Sequence, residues 1–304
     1  MTKLPAPGQH GGDGDQLAAA LGVPPDEVLD LSASLNPVAP DVAALAARHV
    51  ASLRRYPRSD VAEAALAEHI GVDADRLVLT NGGAEAIALL AAEHPCGWAD
   101  SFDFSLYRRH LTEVDPSGLR WQSDPHNPTG RLRDEHDRSD VRDEAFYAIA
   151  TGTWTRGDHD VLVVGSLTKV FACPGLRLGY VVARDRDEAR RIRDRRPAWS
   201  VNALAVALVE ELLRVADLVR WRDEIATLRA DLVAILARHD ITCEPSDANY
   251  LWLPHARGLR DRLAPRGVLV RSGASFGFPD AVRIAVPSPA GLTRLEVALD
   301  RSSP

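Results

Sequence analysis

The chain has 304 residues, of which 45% are hydrophobic and 26% charged, a composition typical of a folded globular protein with one or two domains. Its net charge of -7 argues against a nucleic-acid-binding surface, and no apolar run reaches the roughly 18 residues that a membrane span needs. The three scattered cysteines fit no metal-binding spacing, and together with the lack of an apolar N-terminal signal they predict a cytoplasmic protein without a structural metal.

The first third of the chain begins with a loop or arm that is rich in glycine and proline, over residues 1–14. Apolar residues at helical spacing then predict helices, and short apolar runs predict strands. The expected elements are a short helix from Asp15, a short strand before Asn36, helices over 40–53 and 60–70, a strand over 76–80, and a helix after the turn at 81–83.

The rest of the chain also alternates strands and helices. The buried strand at 161–165 is followed by a strand at 178–183, and one long helix or two in succession come after Trp199. A further helix is predicted over 223–239, and short strands alternate with helices in the tail. This order predicts an α/β fold with a mostly parallel sheet and a second, smaller C-terminal domain.

One stretch combines a buried strand with reactive side chains. Ser166, Thr168 and Lys169 follow the strand at 161–165, and Arg177 comes eight residues later. Ligands in open α/β sheets bind at the carboxyl ends of strands. Hydroxyls and an arginine can bind a phosphate there, and a lysine of lowered pKa can form an imine.

Three other motifs are weak when each is considered alone. Gly82-Gly83-Ala84 joins a strand to a helix and offers free N–H groups to an anion. Asn127, before a proline, has an amide that could donate to a phenolic oxygen, and Asp143 could keep a pyridine nitrogen protonated.

Taken in order, these motifs resemble those of pyridoxal-phosphate (PLP) enzymes of fold type I, the class I/II aminotransferase superfamily. Within it the chain is similar to the histidinol-phosphate aminotransferases and to the threonine-phosphate decarboxylases of cobalamin biosynthesis. The decarboxylase branch is favoured by His10-Gly11-Gly12, by the stretches 29–37 and 199–205, and by Asn249-Tyr250.

The resemblance implies a role for each matching residue. Lys169 would hold the cofactor as a Schiff base and shuttle protons, and Asp143 would pair with the ring nitrogen. The other implied cofactor-binding residues are Gly83, Ala84, Ser166, Thr168 and Arg177 for the phosphate, Asn127 for the ring hydroxyl, Phe104 for ring stacking, and Tyr56 for the phosphate of a partner subunit. Arg283 would bind the substrate carboxylate, with His10, Ser32 and Asn36 near the substrate.

The chain departs from the family pattern in its large domain. The stretch between Leu90 and Asn127 is short, and the residues before Pro125 are poorly apolar for a strand. Between Gly130 and Asp143 a helix and most of a strand are expected to be missing. Phe146 replaces a tyrosine that would donate to the ring oxygen.

The resemblance implies a homodimer that binds a small amino-acid substrate, with an arm (1–36), a shortened PLP-binding domain (37–205), and a long helix with a small domain (206–304). Three activities stay open: decarboxylation of a phosphorylated amino acid such as phosphothreonine, transamination of the histidinol-phosphate type, and PLP binding with little or no turnover. The choice between the first two depends on which bond at the substrate α-carbon is held perpendicular to the ring.

Overall fold

The computed structural model describes residues 4–158 and 160–301. The chain forms two compact units. Unit 1 comprises Met1–Val38, Asn127–Leu132 and Asp223–Pro304, and unit 2 comprises Ala39–His126 and Arg133–Arg222. The predicted boundaries after residues 36 and 205 stay a prediction, and the outermost residues of the predicted arm and C-terminal domain (1–3 and 302–304) lie outside the described part.

The α-helices of the described residues are α1 (Gly14–Leu21), α2 (Val42–Ala47), α3 (Asp60–Ile70), α4 (Gly82–Glu93), α5 (Leu106–His110), α6 (Tyr147–Thr151), α7 (Leu167–Val170), α8 (Arg186–Arg195), α9 (Ala203–Val215), α10 (Leu218–Arg238), α11 (Leu259–Leu263) and α12 (Pro289–Asp300). None of them is both long and apolar enough to cross a membrane.

The strands of the same residues are β1 (Leu29–Leu31), β2 (Leu77–Thr80), β3 (Cys96–Ala99), β4 (Glu113–Val114), β5 (Leu119–Ser123), β6 (Val141–Asp143), β7 (Leu162–Gly165), β8 (Gly179–Val182), β9 (Tyr250–Leu253), β10 (Val268–Ser272) and β11 (Val282–Ala285).

Unit 2 contains a seven-stranded sheet in the order β2-β8-β7-β6-β5-β3-β4. Only β8 runs antiparallel to its neighbours, so the other strands end at the same edge of the sheet. The predicted mixed α/β fold with a mostly parallel sheet is therefore confirmed.

One face of this sheet is apolar. The opposite face carries polar side chains on the interior strands β5 and β6. Trp121 and Val141 pack into a core with Ile87, Leu90 and residues of β7 and β8. The alternate side chains Arg120 and Gln122 on β5 are polar. This alternation explains why β5 looked poorly apolar in the sequence although it lies in the middle of the sheet.

Segment 133–140 contacts this polar face through hydrogen bonds and ion pairs. It lies where the sequence predicts that a helix is missing. Asp137 accepts from Arg120 Nη1 at 3.0 Å and from Gln122 Nε2 at 3.1 Å, and it ion-pairs with Arg133 at 3.5 Å. No α-helix forms between Arg133 and Asp140, as the sequence predicts, and β6 is only three residues long.

Unit 1 contains a four-stranded sheet in the order β1-β10-β11-β9. Strand β1 pairs in parallel with β10, while β11 is antiparallel to both β10 and β9. The core of this unit joins Leu31 to residues of β9–β11, α11 and α12 and to Leu232 and Leu236 of α10. Residues near the N-terminus are thus integral to this sheet.

The prediction for the helices after Trp199 is wrong in one respect. They are two in succession, as one of the predicted alternatives had it, but the second, α10, runs without a break from Leu218 to Arg238. The prediction of a separate helix beginning at residue 223 is therefore wrong. Ala216, with φ -69° and ψ 129°, ends α9, and the sequence from Leu218 to Arg238 contains no proline or glycine that would interrupt a helix.

Candidate active site

The turn after β2 is shaped by glycines that permit close backbone contacts. Gly82 has φ +79°, and a Cβ added there would lie 2.5 Å from Nη2 of Arg177. A Cβ on Gly179 would lie 2.7 Å from the nitrogen of Gly83. Glycine is needed at both positions for these groups to approach so closely. Helix α4 begins at this turn, so its first N–H groups and its dipole favour an anion.

Two side chains predicted for a phosphate flank this turn. The Cβ of Ser166, at the end of β7, lies 3.9 Å from the place of a Cβ on Gly83. Arg177 is exposed, and its one described hydrogen bond is a long one of 3.4 Å to the carbonyl of Pro174. Ala84 lies exposed in the first turn of α4. The turn, the serine and the arginine form a cradle of donors that suits a phosphate group.

Thr168 makes a different set of contacts. Its hydroxyl donates to the carbonyl of Leu178 and accepts from the Leu178 N–H, both at 3.2 Å. A threonine hydroxyl has a single proton. Because that proton is used within the protein, the structure does not offer it to a ligand, and the hydroxyl instead ties α7 to the segment before β8.

Lys169 is half-buried on α7, and its Nζ lies 5.8 Å from the centre of the Phe146 ring. Phe146, which replaces the tyrosine of the family pattern, is buried. An aromatic face next to an ammonium group stabilises its positive charge without accepting its protons in ordinary hydrogen bonds.

Asp143 ends β6 and is buried. Its Oδ2 accepts from the Tyr107 hydroxyl at 2.8 Å, and its Oδ1 accepts from the N–H of Ala145 at 3.0 Å. Burial raises the pKa of Asp143 to about 6. The two hydrogen bonds and the positive charge of Lys169 lower this pKa, whereas the negative charge of Asp103 raises it. Lys169 and Asp143, from the ends of adjacent strands, thus interact electrostatically within unit 2.

Tyr107 is a further residue of this site that its sequence motif did not predict. Its side chain is fully buried, and its ring packs edge-on against that of Phe104 with the centroids 5.6 Å apart. Phe104 lies before α5 and Tyr107 lies within it, so no helical spacing in the sequence pointed to Tyr107. Its contact with Asp143, 36 positions away, could be found only in the fold.

A second buried carboxylate lies beside this pair. Asp103 accepts from the Ser123 hydroxyl at 2.5 Å and from the Phe104 N–H at 2.7 Å, and it ion-pairs with Arg133 at 3.1 Å. Burial raises its pKa, and burial lowers the pKa of His126, whose charge interacts with that of Asp103. These contacts anchor the backbone that carries Phe104.

Tyr56 lies on the surface of unit 2 and is 77% exposed. Its ring is 4.6 Å from that of Trp199, which is 61% exposed and has φ +58°. The next residue, Ser200, donates to Glu85 at 3.0 Å, and Glu85 also accepts from the Asn81 N–H. This exposed aromatic pair is thus linked by hydrogen bonds to the helix that begins at the glycine turn.

Unit 1 brings together other predicted residues. Arg283 on β11 donates to Oδ1 of Asn127 at 2.6 Å, and its Nη2 lies 3.5 Å from the carbonyl of Ser32. Because the Asn127 oxygen accepts from an arginine, its amide NH2 is oriented as a donor in another direction. The guanidinium of Arg283 also lies over the Tyr250 ring, 4.8 Å from its centre.

Arg271, on β10 and in register with Arg283, was missed by the sequence reasoning. It is buried, donates to the carbonyl of Gln9 at 3.1 Å, and lies over the Phe276 ring, but its Nε has no hydrogen-bond partner in the part of the chain that the structure describes. Burial lowers the pKa of Arg271 to about 8 and that of Arg283 to about 10.

Neither of these two guanidinium groups has an ion pair with a carboxylate among the described residues. Buried charges in proteins are normally paired, because burial without a partner is costly. The negative charge of Asp13 acts on Arg271 without forming an ion pair with it, so these two adjacent buried arginines indicate an anionic ligand. The sequence signal was the arginine within the apolar strand VLVRS, which resembles Arg283 in VRIA.

The N-terminal residues predicted near the substrate also lie in unit 1. The Ser32 hydroxyl donates to Asp30 at 2.5 Å and accepts from the Gly12 N–H at 2.8 Å, which ties the His10-Gly11-Gly12 stretch to β1. His10 itself is exposed, and the buried Asn36 accepts from the Val38 N–H at 3.0 Å.

Solved structures of two enzymes share the fold described above. Histidinol-phosphate aminotransferase from Sinorhizobium meliloti, in complex with pyridoxal-5'-phosphate, aligns with a TM-score of 0.81 at 17% identity over 95% of this chain and 94% of that one. L-threonine-O-3-phosphate decarboxylase from Porphyromonas gingivalis aligns with a TM-score of 0.73 at 21% identity, over 90% of this chain and 99% of that one. These likenesses establish the shared fold.

The chain belongs to the aminotransferase class I and II family, whose sequence pattern matches residues 121–299. Threonine-phosphate decarboxylase of Salmonella typhimurium is 31% identical over 349 aligned positions, with 95% of each chain covered. Histidinol-phosphate aminotransferase 1 of Thiobacillus denitrificans is 27% identical, with 92% and 87% covered. Since 349 positions align with only 304 residues, at least 45 positions of the first relative have no counterpart here. These relatives are enzymes that act on small amino-acid-type compounds.

Proposed function

We propose that the protein is a PLP-dependent enzyme that acts on a small phosphorylated amino acid, as a threonine-phosphate decarboxylase does in cobalamin biosynthesis. The observation that carries the substrate class is the buried pair Arg271 and Arg283, adjacent in register and without carboxylate partners among the described residues. A substrate with a carboxylate and a phosphate would supply the missing negative charge.

The residues of unit 2 fit PLP. A Cβ at position 82 would collide with Arg177, so the glycine turn leaves room for a phosphate against that arginine. Gly83, Ala84, Ser166 and Arg177 would hold the phosphate, and Asp143 would pair with the ring nitrogen. We further propose that Phe104 stacks on the ring and that Asn127 donates to its hydroxyl.

When bound, PLP would supply a ring that takes up the electrons of a bond broken at the substrate α-carbon. Lys169 would hold the cofactor and later move a proton to or from that α-carbon. Asp143 would keep the ring nitrogen protonated, which requires the aspartate to stay charged although it is buried. Arg283 and Arg271 would orient the anionic groups of the substrate, with Ser32, Asn36 and His10 as the proposed neighbours.

A transaminase of the histidinol-phosphate type is the second candidate, because the relative from Thiobacillus denitrificans has that activity by name and covers 92% of this chain. The buried arginine pair suits a phosphorylated substrate in either reaction. The decarboxylase is favoured by the 31% identity to the relative from Salmonella typhimurium.

The first experiment tests cofactor binding. Purified protein mixed with PLP is expected to show an absorbance band at about 420 nm, because a lysine that captures a carbonyl cofactor forms an imine with it, and Lys169→Ala should abolish this band. A band that persists in Lys169→Ala contradicts the assignment of the lysine.

The second experiment separates the candidate reactions. Phosphothreonine should release CO2 if the protein is a decarboxylase, whereas histidinol phosphate should be consumed only with α-ketoglutarate if it is a transaminase.

Arg271→Lys should raise KM by about tenfold or more, because a bidentate contact with the substrate is lost. Arg229→Lys is the control, since within the described part of the chain Arg229 donates to the carbonyls of Asp247 and Ala248. Cofactor binding without either product would indicate a PLP-binding protein without turnover.

We also propose a homodimer in the cytoplasm. Unit 2 exposes large apolar side chains within residues 50–61 and at Trp199, and Tyr56 among them would reach the cofactor phosphate of the other subunit. The three cysteines are free, as a reducing compartment favours.

A further inference from the structure

The carboxylate of Asp143 is held at both oxygens by donors of its own unit. The Tyr107 hydroxyl donates to Oδ2 at 2.8 Å, and the Ala145 N–H donates to Oδ1 at 3.0 Å. Each carboxylate oxygen has a further lone pair, so these bonds fix the group without using up its capacity to accept.

Tyr107 is itself held rigidly. Its side chain is fully buried, its ring packs edge-on against Phe104, and it lies 5.6 Å from the buried ring of Trp121. A ring confined on two sides cannot turn its hydroxyl away from Asp143 without opening the core. The donor is therefore preorganised before any ligand binds.

We propose that Tyr107 is a positioning residue: its hydroxyl keeps the Asp143 carboxylate charged and oriented, so that this carboxylate can pair with the ring nitrogen of the cofactor. This inference rests on the proposed function. Tyr107 would contact neither substrate nor reacting atoms, and would act only through Asp143.

The electrostatic setting explains why such a donor is needed. Burial favours the protonated, neutral form of Asp143, and the nearby negative charge of Asp103 acts in the same direction. The opposing groups are the Tyr107 hydroxyl, the Ala145 N–H and the positive charge of Lys169. A protonated Asp143 could not stabilise a positively charged ring nitrogen, so each group that favours the charged form supports the cofactor chemistry.

Tyr107→Phe removes the hydroxyl and keeps the ring that packs in the core. In the cofactor-free protein, ¹³C NMR of labelled aspartate carboxyls, with the Asp143 signal assigned from Asp143→Asn, should show the Asp143 pKa rise by about one unit. The affinity for PLP should then fall about fivefold at pH 6 and by much less at pH 8, where the carboxylate is charged in both proteins.

Tyr147→Phe is the matched control. Tyr147 is half-buried, lies four residues after Asp143, and has no described hydrogen bond to that carboxylate. Its substitution should leave both the Asp143 titration and the pH dependence of PLP affinity unchanged. If Tyr107→Phe does not fold, replacing Tyr107 with 3-fluorotyrosine, a stronger donor, should shift the Asp143 pKa downward instead.

The outcomes distinguish the two proposals. If the wild type binds PLP and Asp143 titrates identically in the wild type and in folded Tyr107→Phe, the role of Tyr107 alone is overturned. A wild-type protein that binds no PLP overturns the proposed function and with it the ring-nitrogen role, whatever the titration shows.

Discussion

At the scale of one residue, the function proposed for Asp143 opposes the stability of the fold. The carboxyl is buried at the end of β6, and burial raises its pKa to about 6. The unfolded chain would ionise near the ordinary value of 3.8. Keeping this group charged at neutral pH therefore destabilises the folded state, which is the usual compromise at a preorganised site.

Removing the carboxyl should expose this cost in the cofactor-free protein. The native state binds the Asp143 proton more tightly than the unfolded state does, so the destabilisation is absent below about pH 4 and complete above about pH 6. The free energy of unfolding of Asp143→Asn, relative to wild type, should rise by roughly 3 kcal/mol across that window and then stay level. Chemical denaturation at a series of pH values measures this.

Asp115→Asn provides a control of opposite sign. Hydrogen bonds from Ser117 lower the pKa of Asp115. The stability that ionised Asp115 adds to the folded state is therefore present at neutral pH and is lost as the pH falls through its folded pKa. A relative stability of Asp143→Asn that does not change with pH would contradict the elevated pKa of Asp143.

At the scale of elements, the segment before β6 forms a polar layer where the resemblance to the family implies a helix. Such a layer works only if the strand beneath is polar as well, and Arg120 and Gln122 of β5 meet this condition. Asp137 joins both of these side chains to the loop.

Asp137→Ala should therefore destabilise unit 2 by about 1–3 kcal/mol, because it removes these hydrogen bonds and leaves the buried Gln122 amide without this acceptor. Thermal unfolding checks this. Glu135→Ala, in the same loop but 84% exposed, should change the melting temperature little. Equal stability of the two variants would mean that the loop does not support the sheet.

At the scale of the whole molecule, the exposed apolar side chains of unit 2 predict self-association. Val50, Leu53, Tyr56, Val61 and Trp199 are each more than half exposed. Contiguous apolar patches often mark an interaction site, and the rings of Tyr56 and Trp199 are in contact within this set.

Leu53→Asp should convert a dimer into monomers in analytical ultracentrifugation, because a charge would have to be buried without a partner. It should also weaken PLP binding if Tyr56 acts on the other subunit. Val114→Asp, at an equally exposed valine on β4, is the control and should stay dimeric. A wild-type protein that sediments as a monomer at micromolar concentration would refute the dimer.

The local patterns of the sequence determined much of this protein. Apolar runs and helical spacing located most elements and the α/β class. The glycine turn, Ser166 and Lys169 stood out because they follow predicted strands directly, whereas Asp143 and Arg177 gained meaning from the order of the motifs. The missing helix before β6 was predicted only from the resemblance to the family, as a departure from its pattern.

Only the tertiary structure decided the pairs that join distant segments. Tyr107 meets Asp143, Arg283 meets Asn127, and Arg271 lies beside Arg283, because sheet register sets these contacts, and register is not written in any short stretch of sequence. The same holds for Thr168, whose hydroxyl was predicted for a phosphate and instead bonds Leu178. Burial and partners, which determine what a polar side chain can do, arise only when the strands are side by side.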